Sequence, residues 1–228
     1  MNRTTRKMSK IAPFEAHAVR YDTWFERYPY VYESELLAVR KQLDKCSMGL
    51  EIGVGTGRFA APLEIPLGLE PSREMGKLAR RRGLEIVFGL AEALPFRDAQ
   101  FDCALMVTVV CFIEALDIAL QEAYRVLQSG GRLIIGLIDK HSALGQQYQQ
   151  KRQANPYYRL ATFYSVDEVV LHLKAAGFTD FRFTQTIYHP LDEIHEREPV
   201  RPGYGAGGFV VIRACAKMND AQTKIYAD

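Results

Sequence analysis

Glycine falls at every second position of the run Leu50-Glu51-Ile52-Gly53-Val54-Gly55-Thr56-Gly57-Arg58, directly after a short apolar stretch that ends in an acid. A residue without a Cβ tolerates φ > 0 and lets the backbone approach a ligand closely. The run therefore predicts a strand, a tight turn and a binding surface at one end of a sheet. The acid narrows the ligand. A glycine-rich turn beside a helix N-terminus suits phosphate, which a carboxylate repels, so Glu51 points to a ligand that carries positive charge. From this stretch alone a dinucleotide competes, because Gly55-Thr56-Gly57-Arg58-Phe59-Ala60 also satisfies the G-x-G-x-x-A fingerprint.

The rest of the chain sets the fold class. Short β-branched runs at 47–52, 65–70, 84–88, 101–107, 131–138, 180–188 and 208–215 read as strands. They alternate with helical patterns, as in an α/β chain with a mainly parallel sheet covered on both faces. Pro62 and Pro66 leave little room for a helix between the first two strands. A helix is expected over 72–82, with Met75, Leu78 and Ala79 on one face and Gly83 as its stop. Leu116, Leu120, Ala123 and Leu127 share a face of another, which Ser129-Gly130-Gly131 ends. Ser165 and Glu168 form a capping box for a helix that stops at Gly177. The segment from Pro190 to Gly207 has no helical pattern, so the last two strands join directly and the final one runs antiparallel. Two aromatic-rich regions stand outside the sheet. One is residues 1–45, with Phe14, Tyr21, Trp24, Phe25, Tyr28, Tyr30 and Tyr32. The other is 140–164, with Tyr148, Tyr157, Tyr158, Phe163 and Tyr164. We expect a helical cap over 1–45, a main domain over 46–217 with a lid insertion at 140–164, and a tail at 218–228.

Composition excludes several classes of function. With 48% hydrophobic and 25% charged residues and a net charge of +2 over 228 residues, the chain requires neither a nucleic acid nor a membrane as partner. Arg3, Arg6, Lys7 and Lys10 give a basic, polar N-terminus that lacks the apolar core of a signal peptide. Cysteines 46, 103, 111 and 215 are scattered without a C-x-x-C pair, so a reduced cytoplasmic protein is expected, with Cys103 and Cys111 as small buried hydrophobes. His189 and His195 lack cysteine partners and helical spacing, and no metal is expected.

Further motifs follow the glycine turn in order. Glu70 ends the second strand, where an acid can accept both hydroxyls of a ribose. Next come Ala91-Glu92-Ala93-Leu94-Pro95-Phe96, then Phe101-Asp102 opening the fourth strand, and Tyr124-Arg125-Val126-Leu127 leading to Gly130-Gly131-Arg132-Leu133. In these motifs the chain resembles the class I S-adenosylmethionine (SAM)-dependent methyltransferases of the ubiquinone/menaquinone-methyltransferase-like (type 11) group, over about residues 47–138. A dinucleotide-binding protein is not expected to carry the later motifs.

The resemblance implies a Rossmann-like three-layer sandwich, a seven-stranded sheet with the last strand antiparallel, and SAM as cofactor, with S-adenosylhomocysteine as product. It implies that Glu51, Gly53, Gly55 and Gly57 line the methionine moiety and that Glu70 holds the ribose. It also implies that Ala91 and Glu92 flank the adenine while Met106 and Val107 lie beneath the cofactor. Two positions depart from the family pattern: Leu90 replaces an Asp before the Ala-Glu pair, and Cys111-Phe112 stands where relatives carry a His pair.

An activated sulfonium methyl mainly requires a nucleophile held close and aligned, so the missing histidines do not exclude transfer. Tyr21, Tyr28 and His141 are candidate catalytic groups, with Trp24, Asp139 and Tyr204 as further neighbours of the acceptor. The aromatic cap and lid suggest a small-molecule acceptor. Arg152, Arg159 and Arg201 are candidates for recognising an anionic one. RNA or protein methylation, and a non-catalytic SAM-binding module, stay as alternatives.

Overall fold

Apolar runs whose successive side chains point to opposite faces build a sheet that is buried on both sides. In β4 (Phe101–Val107) Ala104 and Met106 face one layer, and Cys103, Leu105 and Val107 face the other. The same split holds in β5 (Leu127–Ile138), between Leu133, Ile135 and Leu137 on one face and Ile134 on the other, and in β8 (Phe209–Ala216). The remaining strands are β1 (Gly49–Ile52), β2 (Leu67–Glu70), β3 (Glu85–Phe88), β6 (Phe178–Thr186) and β7 (Arg201–Pro202). A computed structural model describes residues 3–217, with side chains from Lys10 onward. The expected tail at 218–228 and the side chains of Arg3, Arg6 and Lys7 lie outside the described residues.

The strand order is β3-β2-β1-β4-β5-β8-β6-β7. Strands β3 to β5 are parallel, whereas β8 runs antiparallel to β5 on one side and β6 on the other. The expected seven-stranded sheet gains an eighth member only through β7, a two-residue strand paired with β6. From β1 the chain crosses to β2 on one side while β4 lies on the other. The carboxyl end of β1, where the glycine turn sits, is therefore the crevice at which open α/β sheets bind ligands.

Helices cover both faces. On one side α5 (Leu116–Val126) and α7 (Val166–Ala175) bury Leu120, Ala123, Val169 and Leu173. On the other lie α3 (Pro29–Gln42) and α4 (Arg73–Arg81). Ser72 caps α4 by accepting from the Met75 amide, and the Ser165–Glu168 capping box opens α7. Helices α1 (Arg3–Ala16) and α2 (Ala18–Arg27) complete the N-terminal region, and α6 (Ala143–Lys151) lies in the 140–164 insertion. No helix among the described residues is long and apolar enough to cross a membrane.

Between β1 and β2 only a 3-10 turn, Ala61–Leu63, forms around Pro62, in keeping with the little room the prolines leave. The chain departs from the sequence expectations elsewhere. Helix α5 stops at Val126, because Leu127 already pairs with Phe101; Gly130, at φ 74°, takes up the irregularity further along the strand. The segment 1–45 divides: α3 packs on β6 and β8 as part of the sandwich, so only α1 and α2 are free to act as a cap. Cys103 is not a free thiol, since it is bonded to Cys46 with Cα atoms 5.9 Å apart. Pairing of Gly49 with Cys103 brings the segment before β1 alongside β4, a proximity that positions 57 apart in sequence do not reveal. The chain is thus not wholly reduced, which removes one support for the cytoplasmic expectation. Cys111 and Cys215 are free.

Candidate active site

The glycine turn is shaped by what surrounds it. Gly53, Gly55 and Gly57 all have positive φ, and a Cβ on Gly53 would collide with Val109. The Gly55 amide donates to Glu70 Oε2 at 2.8 Å, and the Ser72 amide donates to Glu70 Oε1 at 2.9 Å. Glu70 thereby ties the turn after β1 to the start of α4. Burial raises its pKa to about 7 against those two hydrogen bonds. Glu51 is 1% exposed, and its Oε2 has no hydrogen-bond partner. Burial pushes its pKa to about 8, opposed by a bond from the Ala60 backbone and reinforced by the nearby Glu70 charge. An orphaned, buried carboxylate oxygen at the base of a cleft fits a cationic group such as the ammonium of SAM.

That cleft is lined by Glu51, Gly53, Gly55, Glu70, Ala91, Glu92 and Val107. Leu90 and Met75 also line it, so Leu90 occupies cleft wall where the family pattern has an Asp. The loop carrying Ala91 and Glu92 is latched from α5. Arg125 donates to the carbonyls of Leu94 (3.1 Å) and Phe96 (2.8 Å), and Glu122 accepts the Leu94 amide at 2.8 Å. Asp102 likewise accepts the amides of Ser47 and Met48 and fixes the entry into β1. These two motif residues hold the site without lining it.

Helices α1 and α2 contribute one wall of the cleft. Lys10, Ile11 and Phe14 line it; Lys10 is 5% exposed and pairs with Glu114 at 3.3 Å. On α2, Asp22 accepts hydrogen bonds from Thr56, Arg58 and Arg82 at 2.6–2.9 Å, joining the cap to the glycine turn and to the residue after α4. Burial opposes ionisation of Asp22, but these donors hold its pKa at about 2. Glu15 accepts the Ser72 hydroxyl at 2.6 Å.

A second cavity of about 580 Å³ opens between α2, α3 and the 140–164 insertion. Its walls include Tyr21, Trp24, Tyr28, Tyr148 and Tyr158, and it shares Tyr21, Phe25, Phe59 and Thr108 with the first cleft. Thr108 follows β4 at φ 53°, a strained conformation for a β-branched residue. Its side chain lies near the Tyr21 phenol, whose ionisation burial strongly opposes. Tyr157 bridges cap and insertion, donating to the His17 carbonyl at 3.0 Å.

Not every residue singled out by sequence reaches these cavities. Met106 is fully buried in the core on the α5 face, the opposite parity to Val107. Gly57 packs against Leu84 and Ala79. His141 is exposed and lines neither cavity; its backbone amide donates to the Asp139 carboxylate. Tyr28 lines the second cavity and donates to Asp192. Tyr204 bonds Asp167 outside both cavities, and His189 pairs with Glu198. Arg152, Arg159 and Arg201 line neither cavity; Arg201 lies over the Tyr188 ring. Sequence reasoning missed Lys10, Glu35, Thr108 and the Asp22 network. A lone acid or threonine in a helical or strand pattern carries no signal, although Asp22 and Arg58 both stood beside residues that had been noticed.

Comparison with known proteins follows the same outline. The family model described as Methyltransferase domain matches residues 50–135. An uncharacterized protein of Methanocaldococcus jannaschii is 44% identical over 88% of this chain and 97% of its own length. A malonyl-[acyl-carrier protein] O-methyltransferase of Methylococcus capsulatus is 31% identical over 74% of this chain and 65% of its own. Among solved structures, a Thermotoga maritima protein superposes with a TM-score of 0.89 at 45% identity, covering 91% of this chain and all of that one. It is described as a SAM-dependent methyltransferase and possible histamine N-methyltransferase.

Proposed function

The chain belongs to the SAM-dependent methyltransferases and uses SAM as its cofactor, and on that premise we propose that it methylates a small molecule held in the tyrosine-walled cavity. The observation that carries this reading is the shared wall: Tyr21, Phe25, Phe59 and Thr108 border both the cofactor cleft and the second cavity. A donor in one and an acceptor in the other meet there. The open second cavity also favours transfer over a non-catalytic SAM-binding role. The Thermotoga relative, by its description, supports a small-molecule acceptor.

SAM supplies a methyl group already activated as a sulfonium. In this reading Glu51 pairs with its ammonium through the orphaned Oε2. Glu70 accepts the ribose hydroxyls with the lone pairs that Gly55 and Ser72 leave free, since a carboxylate has about four acceptor sites. Ala91 and Glu92 flank the adenine and Val107 supports it from β4. Rings of Tyr21 and Phe25 offer faces to the sulfonium, and α1 and α2 with the 140–164 insertion exclude water. No histidine lines either cavity among the described residues, so positioning carries the rate and Tyr21 serves as a neutral phenol donor.

Incubating the protein with methyl-labelled SAM and a cell metabolite extract tests the reading. A labelled small molecule together with S-adenosylhomocysteine is expected. Label found only on RNA or protein, or no transfer at all, overturns it. Calorimetry adds a check on the ligand: S-adenosylhomocysteine binds and NAD does not.

A further inference from the structure

The second cavity contains an acid that nothing in the fold employs. Glu35, on α3, is 3% exposed and lines the cavity, yet makes no hydrogen bond or ion pair with any described residue. Its neighbour Ser34 is buried too, but there the hydroxyl bonds the Tyr30 carbonyl and accepts the Glu198 amide. Burying a carboxylate without a partner costs free energy that packing does not return, and burial alone pushes the Glu35 pKa to about 8. An acid in such a place calls for a ligand.

The surroundings specify its chemistry. Tyr21, Trp24, Tyr28, Tyr148 and Tyr158 wall the same space, and Tyr21, Tyr148 and Tyr158 all feel the Glu35 charge. Ring faces attract organic cations, and a buried carboxylate regains by pairing with one what it lost in desolvation. Arg20, Arg27 and Lys151 also border the cavity, but they are exposed, where solvent and salt screen them. Asp192, bound by Tyr28, adds negative charge at the rim. Inside the cavity Glu35 is therefore the acid that an incoming cation ionises and pairs with. At about 580 Å³ the cavity suits a ligand of metabolite size.

Resting on the acceptor reading above, we propose that the methyl acceptor is a small organic amine, protonated in solution, whose ammonium pairs with Glu35 among the tyrosine rings and gives that carboxylate a proton, so that the freed nitrogen lone pair takes the methyl as the sulfonium C–S bond breaks and S-adenosylhomocysteine leaves. Arg20, Arg27 and Lys151 at the rim do not define the acceptor, and Arg152, Arg159 and Arg201 line neither cavity, so the anionic class expected from those last three is disfavoured.

Calorimetry on the S-adenosylhomocysteine-loaded protein tests this with matched probes: 2-phenylethylamine against 2-phenylethanol, and tryptamine against tryptophol. Each pair differs in the charged group alone. At least one amine should bind about tenfold or more tightly than its alcohol, the size expected for a charge-assisted contact. In Glu35→Gln that advantage should fall below about threefold by the same reasoning, with binding of S-adenosylhomocysteine unchanged. Equal binding of amine and alcohol, an advantage that survives Glu35→Gln, or no binding by any amine overturns the proposal. The wild-type pairs stand even if the variant fails to fold. In the extract experiment, a labelled acceptor without a basic nitrogen overturns this inference while the methyltransfer reading holds; absence of any labelled small molecule overturns both.

Discussion

Replacing Glu70 by alanine is the most informative single perturbation of the cofactor cleft, because the carboxylate braces the loop and is the group proposed to hold the ligand's ribose. In the apo protein it accepts the Gly55 and Ser72 amides at 2.8 and 2.9 Å while only 6% exposed. An amide left buried without an acceptor costs about 1–3 kcal/mol. With Ser72 buried and Gly55 partly so, the pair should lower apo stability by about 2–4 kcal/mol. Loss of the ribose contacts removes a further 1.5–3 kcal/mol or so from binding, a rise in Kd of about 10- to 150-fold. Urea unfolding followed by circular dichroism reads the first effect, and calorimetry with S-adenosylhomocysteine the second. Glu70→Gln separates them: its amide oxygen keeps one acceptor for the loop, so stability falls less while the loss of charge still weakens binding. A Glu70→Ala protein with an unchanged urea midpoint refutes the latch. One that binds S-adenosylhomocysteine as tightly as the wild type refutes the ribose assignment.

Glu51→Gln should weaken S-adenosylhomocysteine about tenfold or more while leaving 5′-methylthioadenosine, which lacks the amino-acid ammonium, unaffected; equal losses for both ligands count against the pairing. Asp22→Asn removes the charge and one of the two oxygens that Thr56, Arg58 and Arg82 share, and should cost about 1–3 kcal/mol of stability and speed release of S-adenosylhomocysteine in stopped flow. An unchanged release rate would mean that the cap does not gate the cleft. The pH dependence has a definite sign. Burial raises Glu35 and Glu51 to about 8 and Glu70 to about 7 in the folded apo protein, above the usual glutamate value of about 4.3 in the unfolded chain. Their contribution is complete below about pH 4 and is lost as pH rises through 7–8, so the apo urea midpoint should fall between pH 5.5 and 8.5, and less steeply in Glu35→Gln. Asp22, held at about 2, acts in the opposite sense, and its contribution disappears only as pH drops below about 4.

The glycine turn, Glu70 and the strand alternation announced the sheet and its crevice, because each is a local pattern with a local cause. A three-glycine turn demands positive φ wherever it occurs, and period-two apolar runs become buried strands. Parity was harder to read: Met106 and Val107 look equivalent in an unbroken apolar run, yet they face opposite layers. The same local reading could not anticipate Glu35 or Thr108, whose roles arise when α2, α3 and the end of β4 converge. Nor could it distinguish α3 as a sandwich helix from α1 and α2 as a cap, since all three lie in one aromatic-rich segment. The family motifs carried more than ligand contacts. Arg125 and Asp102 act on backbone amides and carbonyls some distance along the chain, and only the fold shows that they are braces.

The bond between Cys46 and Cys103 closes a covalent ring across a sequence separation of 57. Inside that ring lie Glu51, the glycine turn, Glu70 and Ala91-Glu92; Tyr21, Glu35 and Thr108 lie outside it. Most residues assigned to the cofactor therefore belong to a macrocycle, with Val107 just beyond it, and most of those assigned to the acceptor, Phe59 apart, hang from it as open chain. Unfolding cannot fully extend the cofactor half, a restriction of the denatured ensemble that corresponds to about 4 kcal/mol for a loop of this size. A protease cut within the ring leaves both fragments joined until a reductant is added, whereas a cut in α1 or α2 frees the cap at once. Evolution of a new acceptor preference can thus proceed in the open segments without disturbing the cyclised cofactor half.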